Sequence, residues 1–217
     1  MLNFLLALTI SAVISYLLGS VNFAIIITKL FSNTDIREHG SGNAGMTNVL
    51  RTVNKKAAAL TFIGDCLKGL ISAWLSFLIF SYITPSLMLN GGYIGTIFAM
   101  LGHMYPVYYN FRGGKGISVC GGAILFTDWR VFLLILTVFL IATLLTRFVS
   151  FGSILAAIGY ALFTFILQFF FDNNPMVYVN TLLALVSTLF TVYKHKENIK
   201  RLINKTENKI GSKKDSK

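Results

Sequence analysis

The sequence predicts an all-α fold, a polytopic membrane helix bundle, and three observations carry that expectation. Only 12% of the 217 residues are charged while 55% are hydrophobic. An ordinary soluble domain is about 25% charged, so this chain has too little polar surface to coat a globule in water. Several nearly uncharged stretches approach or exceed the roughly 20 residues that cross a hydrocarbon core about 30 Å thick. The Lys and Arg residues collect in alternate connections rather than evenly, the asymmetry that orients a helical membrane protein.

The first span is expected over residues 2–31. It begins almost at Met1 and meets no Lys or Arg before Lys29. A cleaved signal peptide has a basic start, a short apolar core and small residues at its cleavage site, so this stretch reads as a retained span. A polar stretch, 32–56, leads to a second span over 57–83. The loop 84–92, with Pro85 and Asn90, opens a third over 93–111. Beyond Arg112-Gly113-Gly114-Lys115-Gly116 lies an apolar piece, 117–126. Thr127-Asp128 separates it from a span over 129–146, and two more follow over 148–171 and 176–193, divided by the turn Asp172-Asn173-Asn174-Pro175. Ten helical residues rise only about 15 Å, so 117–126 does not cross alone. Either it borrows the preceding glycines, giving seven spans, or it is one arm of a buried re-entrant hairpin, giving five. Two regions result, a bundle over 1–193 with its motif-bearing loops and a basic tail over 194–217.

Lys29, Arg37, Arg51, Lys55, Lys56, Arg112, Lys115, Arg147 and the tail all belong to one set of connections. The other set has only Arg130. The positive-inside rule then puts the N-terminus outside and the C-terminus in the cytoplasm, with the polar clusters on the cytoplasmic side. The tail carries Lys194, Lys196, Lys200, Arg201, Lys205, Lys209, Lys213, Lys214 and Lys217. Beside apolar spans such a run suits anionic membrane lipid rather than nucleic acid. No internal repeat of the kind that builds many transporters is detectable. Cys66 and Cys120 lie in apolar surroundings and read as small buried hydrophobes.

Chemistry is concentrated in three clusters. The first is Gly40-Ser41-Gly42-Asn43-Ala44-Gly45-Met46-Thr47-Asn48-Val49-Leu50-Arg51. Its glycines permit a tight backbone whose N–H groups converge on an anion. Ser41, Asn43, Thr47 and Asn48 add neutral donors, and Arg51 adds a fork matched to phosphate. A helix opening near Thr47 would bring its positive dipole end to the same place. The second cluster is Gly102-His103-Met104-Tyr105-Pro106 followed by Phe111-Arg112-Gly113-Gly114-Lys115-Gly116, a glycine nest with a point charge. No Ser or Thr follows Lys115, so this is not a nucleotide-hydrolysing P-loop. His103 is a ligand or base, or else a histidine bonded to the bundle. The third cluster, Tyr193 to Leu202, puts His195 and Asn198 on one helical face at i, i+3, with an apolar strip of Ile199, Leu202 and Ile203. Inside the second span, Asp65 and Lys68 stand at i, i+3. A charge at the bilayer centre costs about 2.5–3.5 kcal/mol on insertion scales, so either the two pair for structure or Lys68 is aimed at an anionic ligand. Zinc-ligand spacing and a Gly-x-Ser-x-Gly nucleophile elbow are both missing; no metal or cofactor is expected.

In this order the clusters resemble the bacterial acyl-phosphate:glycerol-3-phosphate acyltransferase family. The matching residues are Ser41-Gly42-Asn43-x-Gly45-x-Thr47-Asn48-x-x-Arg51, Asp65-x-x-Lys68-Gly69, Gly102-His103-x-x-Pro106 with Phe111-x-Gly113-Gly114-Lys115-Gly116, and His195-x-x-Asn198-Ile199-x-Arg201-Leu202. The likeness covers residues 1–207. Departures are Asn22 and Ala44 where proline is common, Ile117-Ser118-Val119 for a small-residue run, and Lys205 for a glycine. The resemblance implies seven helices in the bacterial cell membrane with a site facing the cytoplasm. It implies acyl transfer from acyl phosphate to the 1-hydroxyl of sn-glycerol 3-phosphate, forming lysophosphatidic acid. It implies Ser41, Asn43, Arg51, Lys115, His195 and Asn198 as substrate contacts, with Gly42, Gly45, Thr47, Asn48, Lys68, Gly113, Gly114 and Gly116 around them. Acyl phosphate is an activated mixed anhydride, so direct attack needs orientation and charge stabilisation more than a protein nucleophile. The proton acceptor is His195 or a phosphate oxygen of the substrate. Membrane lipids and other phospholipid-synthesis enzymes are the expected partners. The rival reading is a transporter for a small phosphorylated anion.

Overall fold

The computed structural model describes residues 1–210; the tail lysines Lys213, Lys214 and Lys217 lie outside them. Every regular element among the described residues is helical. Among the described residues, five stretches are long and apolar enough to cross a membrane: Leu2–Ser32, Lys55–Ile83, Trp129–Thr146, Val149–Phe170 and Val177–Lys194. The described residues form two compact units, the first Met1–Trp129 and the second beginning at Arg130.

The first unit is built from α1 (Leu2–Ser20), α2 (Phe23–Ser32), α3 (Met46–Thr52), α4 (Lys55–Ile83), α5 (Gly92–Met104) and α6 (Ile117–Thr127). Its packing faces carry small residues. Ala7, Ser11, Ser15 and Gly19 repeat every fourth residue along the buried side of α1, while Leu2, Leu5, Leu6, Val13 and Leu17 point outward. This is the membrane pattern, in which backbones approach through small residues and large apolar side chains meet lipid. A Cβ at Gly19 would strike the Ala99 carbonyl, and one at Gly102 the Tyr16 carbonyl, so α1 and α5 meet backbone to backbone. Gly69 and Gly122 give α4 and α6 the same close approach.

One expected span keeps its bounds but is built from two helices, and another is revised. The run 2–31 is not one helix: Val21 and Asn22 are extended, and the Asn22 side-chain oxygen accepts the Ile25 N–H at 3.2 Å. Asparagine competes for backbone donors and starts a new helix, even with apolar residues on both sides. The run 93–111 holds only the 13-residue α5, which ends at Met104. Pro106 disfavours helix at Tyr105, and a 3-10 turn, Val107–Tyr109, follows. Asn110 and Phe111 are then left-handed at φ 55 and 58. At about 20 Å, α5 is shorter than a bilayer core, as is the 11-residue α6. By contrast α4, with 29 residues, extends about 44 Å. Asn54 caps its start by accepting the Ala57 N–H at 2.8 Å.

The second unit comprises α7 (Trp129–Thr146), α8 (Val149–Phe170), α9 (Val177–Lys194) and α10 (Lys196–Ile203). Between α8 and α9 the Asn180 amide donates to Gln168 Oε1 at 2.9 Å, and the Thr188 hydroxyl to the Ala157 carbonyl at 2.6 Å. Such bonds are worth making where no water competes. Arg130 and Asp172 form a bidentate pair at 2.6 and 2.9 Å that ties the start of α7 to the turn after α8. The guanidinium beside Asp172 holds that carboxyl below the usual carboxylate range.

Candidate active site

In the first unit the loop 40–45 runs from a 3-10 turn, Ile36–Glu38, into α3. Gly40 and Gly42 have φ of 62 and 69, backbone that a side chain would strain. Ala24, Ile25, Ile36, Ala44, Val49, Ala57 and Ala58 form an apolar cluster from the elements around the loop. Asn48 shapes the loop from inside. It is buried, its side-chain oxygen accepts the Ser41 N–H at 2.9 Å, and its amide donates to the Ile36 and His39 carbonyls at 3.1 and 2.9 Å. Its amide donors, expected for a ligand, are spent on the fold of the loop. Ser41, Gly42 and Arg51 are exposed, and Asn43, Gly45 and Thr47 are half-buried. Arg37 grips both oxygens of Asp35, at 2.6 to 3.0 Å, and reaches the Tyr109 carbonyl at 2.9 Å, so the turn before this loop is tied to the turn after α5. That guanidinium also holds the Asp35 carboxyl below the usual range.

The second loop, 113–116, folds back on the end of α5. The Gly114 N–H donates to the His103 carbonyl at 3.0 Å. A Cβ at Gly113 would overlap that carbonyl, and one at Gly114 would meet both His103 Nε2 and the Ala44 carbonyl. Glycine is therefore required by close approach, and Gly114 is the point where the two glycine-rich loops touch. Gly116 is left-handed at φ 81 and opens α6, with Lys115 half-buried beside it.

Behind these loops lies a buried polar centre. Lys68 Nζ is 2.8 Å from Asp65 Oδ1, 3.0 Å from His103 Nδ1 and 2.5 Å from the Val21 carbonyl. The Val21 carbonyl is released by the break between α1 and α2, and Lys68 satisfies it. Asp65 and Lys68 thus pair, and the pair extends to His103, with Asp65 Oδ1 3.6 Å from its Nδ1.

In the second unit His195 sits at the junction of α9 and α10, 3% exposed. Its Nδ1 is 2.8 Å from the Thr191 carbonyl. A carbonyl only accepts, so Nδ1 carries a proton, and in the neutral ring the lone pair is then on Nε2. Asn198 is buried and donates to Glu207 Oε1 at 2.8 Å; the same oxygen accepts the Ser150 hydroxyl at 3.0 Å, and Oε2 accepts Arg201 Nε at 2.8 Å. Burial pushes the Glu207 carboxyl up, but the bonds from Asn198, Arg201 and Ser150 outweigh it and hold it below the usual range. Glu207 returns to α10 through a helix-ending turn: the Lys205 N–H donates to the Leu202 carbonyl and the Thr206 N–H to that of Arg201, with Lys205 left-handed at φ 57. Glu207 was not expected as a site residue. Its only sequence signal is that Lys205 stands where the resembled family has glycine, which marks a turn there. Among the described residues no group of three or more His, Cys, Asp or Glu is placed to hold a metal ion.

Comparison with known proteins is consistent throughout. The family model for glycerol-3-phosphate acyltransferase matches residues 9–205. A glycerol-3-phosphate acyltransferase of Bacillus subtilis (strain 168) is 42% identical over 91% of this chain and 95% of its own length. One from Clostridioides difficile (strain 630) is 39% identical over 95% and 97%. The crystal structure of PlsY (YgiH), an integral membrane glycerol 3-phosphate acyltransferase, in its glycerol 3-phosphate form superposes with a TM-score of 0.81 at 34% identity, covering 94% of this chain and 96% of that one. Its lysophosphatidic acid form gives 0.79 at 33%, over 94% and 95%. With the membrane-type helices and both glycine-rich loops already in hand, these matches place the chain: it belongs to the glycerol-3-phosphate acyltransferase family.

Proposed function

We propose that the protein transfers a fatty acyl group from acyl phosphate to the 1-hydroxyl of sn-glycerol 3-phosphate, yielding lysophosphatidic acid and inorganic phosphate for phospholipid synthesis. The observation that carries this reading, given the family, is the meeting of two glycine-rich loops at Gly114. Each is fit to cradle a phosphate, and this reaction brings one phosphate on each substrate.

The hydroxyl oxygen attacks the acyl carbonyl carbon, the bond from that carbon to the phosphate oxygen breaks, and phosphate departs with the electron pair. Ser41, Asn43, Gly42, Gly45 and Thr47 serve as phosphate contacts through hydroxyl, amide and backbone donors. Arg51 and Lys115 offset the charge of the phosphates, with Gly113, Gly114 and Gly116 shaping the acyl-phosphate loop. Asn48 acts by holding the first loop and Lys68 by supporting the second. His195 and Asn198 contact substrate. The Nδ1-protonated form of His195 suits proton acceptance at Nε2, the alternative acceptor being a substrate phosphate oxygen.

The chain crosses the bacterial cell membrane seven times with α5 and α6 counted, the N-terminus outside and the C-terminus in the cytoplasm. The one-sided Lys and Arg distribution supports this orientation and a cytoplasmic site. Residues 194–217 form a cytoplasmic tail that contributes His195 and Asn198 and whose lysines meet anionic lipid; other phospholipid-synthesis enzymes are proposed partners of the protein. The test is purified protein in detergent supplied with acyl phosphate and glycerol 3-phosphate. Lysophosphatidic acid formed without any compartment supports the enzyme. Uptake of glycerol 3-phosphate into liposomes with no product would mean a transporter instead.

A further inference from the structure

The buried centre formed by Asp65, Lys68 and His103 does more than neutralise two charges. An ammonium has three N–H donors and no acceptor. Around Lys68 Nζ stand the Asp65 carboxylate at 2.8 Å, the Val21 carbonyl at 2.5 Å and His103 Nδ1 at 3.0 Å. Two of these are acceptors outright, and the third N–H is matched only if His103 Nδ1 presents its lone pair. The neutral imidazole then carries its proton on Nε2. The other edge of the ring gives the same answer. A Cβ placed on Gly114 would meet both His103 Nε2 and the Ala44 carbonyl oxygen. Nε2 and that carbonyl oxygen thus border the same crease, where an N–H on Nε2 is the complementary polarity.

We propose that Lys68, anchored by Asp65 and the Val21 carbonyl, fixes His103 as its Nε2–H tautomer, making His103 a positioning residue that holds loop 113–116 against the Ala44 end of the first glycine loop. A membrane-embedded ion pair thereby sets the shape of the loop crease through one imidazole. The break between α1 and α2 is part of the device, because it frees the carbonyl that fixes the ammonium. In this view His103 does not touch reacting atoms. It governs how well the loop receives acyl phosphate, and to that extent the proposal rests on the acyl-transfer reading.

The test is nitrogen-15 NMR of the full-length protein in detergent with its three histidines labelled in the ring, His103→Gln supplying the assignment. The expected result is a neutral His103 protonated on Nε2; a proton on Nδ1, or on both nitrogens, overturns the proposal. Kinetics supply the second arm. Gln can place an amide N–H near the Nε2 position and Asn near Nδ1, so His103→Gln should retain clearly more activity than His103→Asn. The Asn variant is expected to raise KM for acyl phosphate about 10- to 100-fold through loop misplacement, with both variants melting alike. Equal losses in the two variants overturn the positioning role, since a merely structural ring would not discriminate them. Should the wild-type protein form no lysophosphatidic acid, the acyl-transfer reading fails, and the NMR result alone upholds or overturns the Lys68-set tautomer.

Discussion

His103 in the first unit and His195 in the second are equally buried, each 3% exposed, yet their rings are set in opposite senses. Behind His195 Nδ1 is a carbonyl, the Thr191 oxygen at 2.8 Å, so Nδ1 must donate and the lone pair of the neutral ring is on Nε2. Behind His103 Nδ1 is an ammonium, Lys68 Nζ at 3.0 Å, so Nδ1 must accept and Nε2 becomes a donor. The difference teaches that a histidine's chemistry is decided by the atom at its back. One ring is fit to take a proton, the other to hold a loop.

That contrast predicts a hierarchy of effects. Arg51→Ala and Lys115→Ala lie at the top: each removes a charge that offsets phosphate, and product formation should vanish while expression stays nearly intact. Near-normal rates in radioactive product assays would refute their assignment. His195→Ala should lower kcat by about 100- to 10,000-fold if the ring is the general base. An unchanged kcat would leave a substrate phosphate oxygen as the proton acceptor. His103 variants should act on KM instead, which keeps the two rings distinguishable by kinetics alone.

Smaller effects probe the polar centre of the second unit. Glu207→Ala leaves Asn198, Arg201 and Ser150 without their shared acceptor and should destabilise by about 2–3 kcal/mol, read as a lower melting temperature in detergent. Because the Glu207 carboxyl is held below its usual range, its contribution is present above the unfolded-state pKa and is lost as pH falls through the lower, folded-state pKa. Glu207→Gln should remove that acid-side dependence. Smallest of all, Lys205→Gly should stabilise by about 1 kcal/mol by relieving a left-handed non-glycine residue; a loss of stability would show that the lysine side chain matters more than its backbone.

What was legible in the sequence follows from the range of the interactions. Long apolar runs announce helices because length and composition are local, and all five membrane-length stretches begin and end within a few residues of expectation. The break at Asn22 was hidden because a single capping side chain interrupts an otherwise apolar run, while the end of α5 was visible in Pro106 yet outweighed by the apolar residues beyond it. Glycine nests were legible since their job is conformational, and Gly40, Gly42 and Gly116 do have positive φ. The partners of Asn48 and His103, and the place of Glu207, were not legible for the opposite reason. Their roles depend on partners far along the chain, such as Ser150, 57 positions from Glu207, or Lys68, 35 from His103. Asp65 and Lys68 could be paired by their spacing, but nothing local announced the Val21 carbonyl as the third member.

The central claim is direct acyl transfer between two phosphate-bearing substrates. It is tested most directly by a single-turnover quench with purified protein in detergent, glycerol 3-phosphate and acyl phosphate labelled in its acyl chain. The label should pass to lysophosphatidic acid with equimolar release of phosphate and no acylated protein at any time. Label accumulating on the protein at a competent rate, or failing to reach lysophosphatidic acid at all, would contradict it.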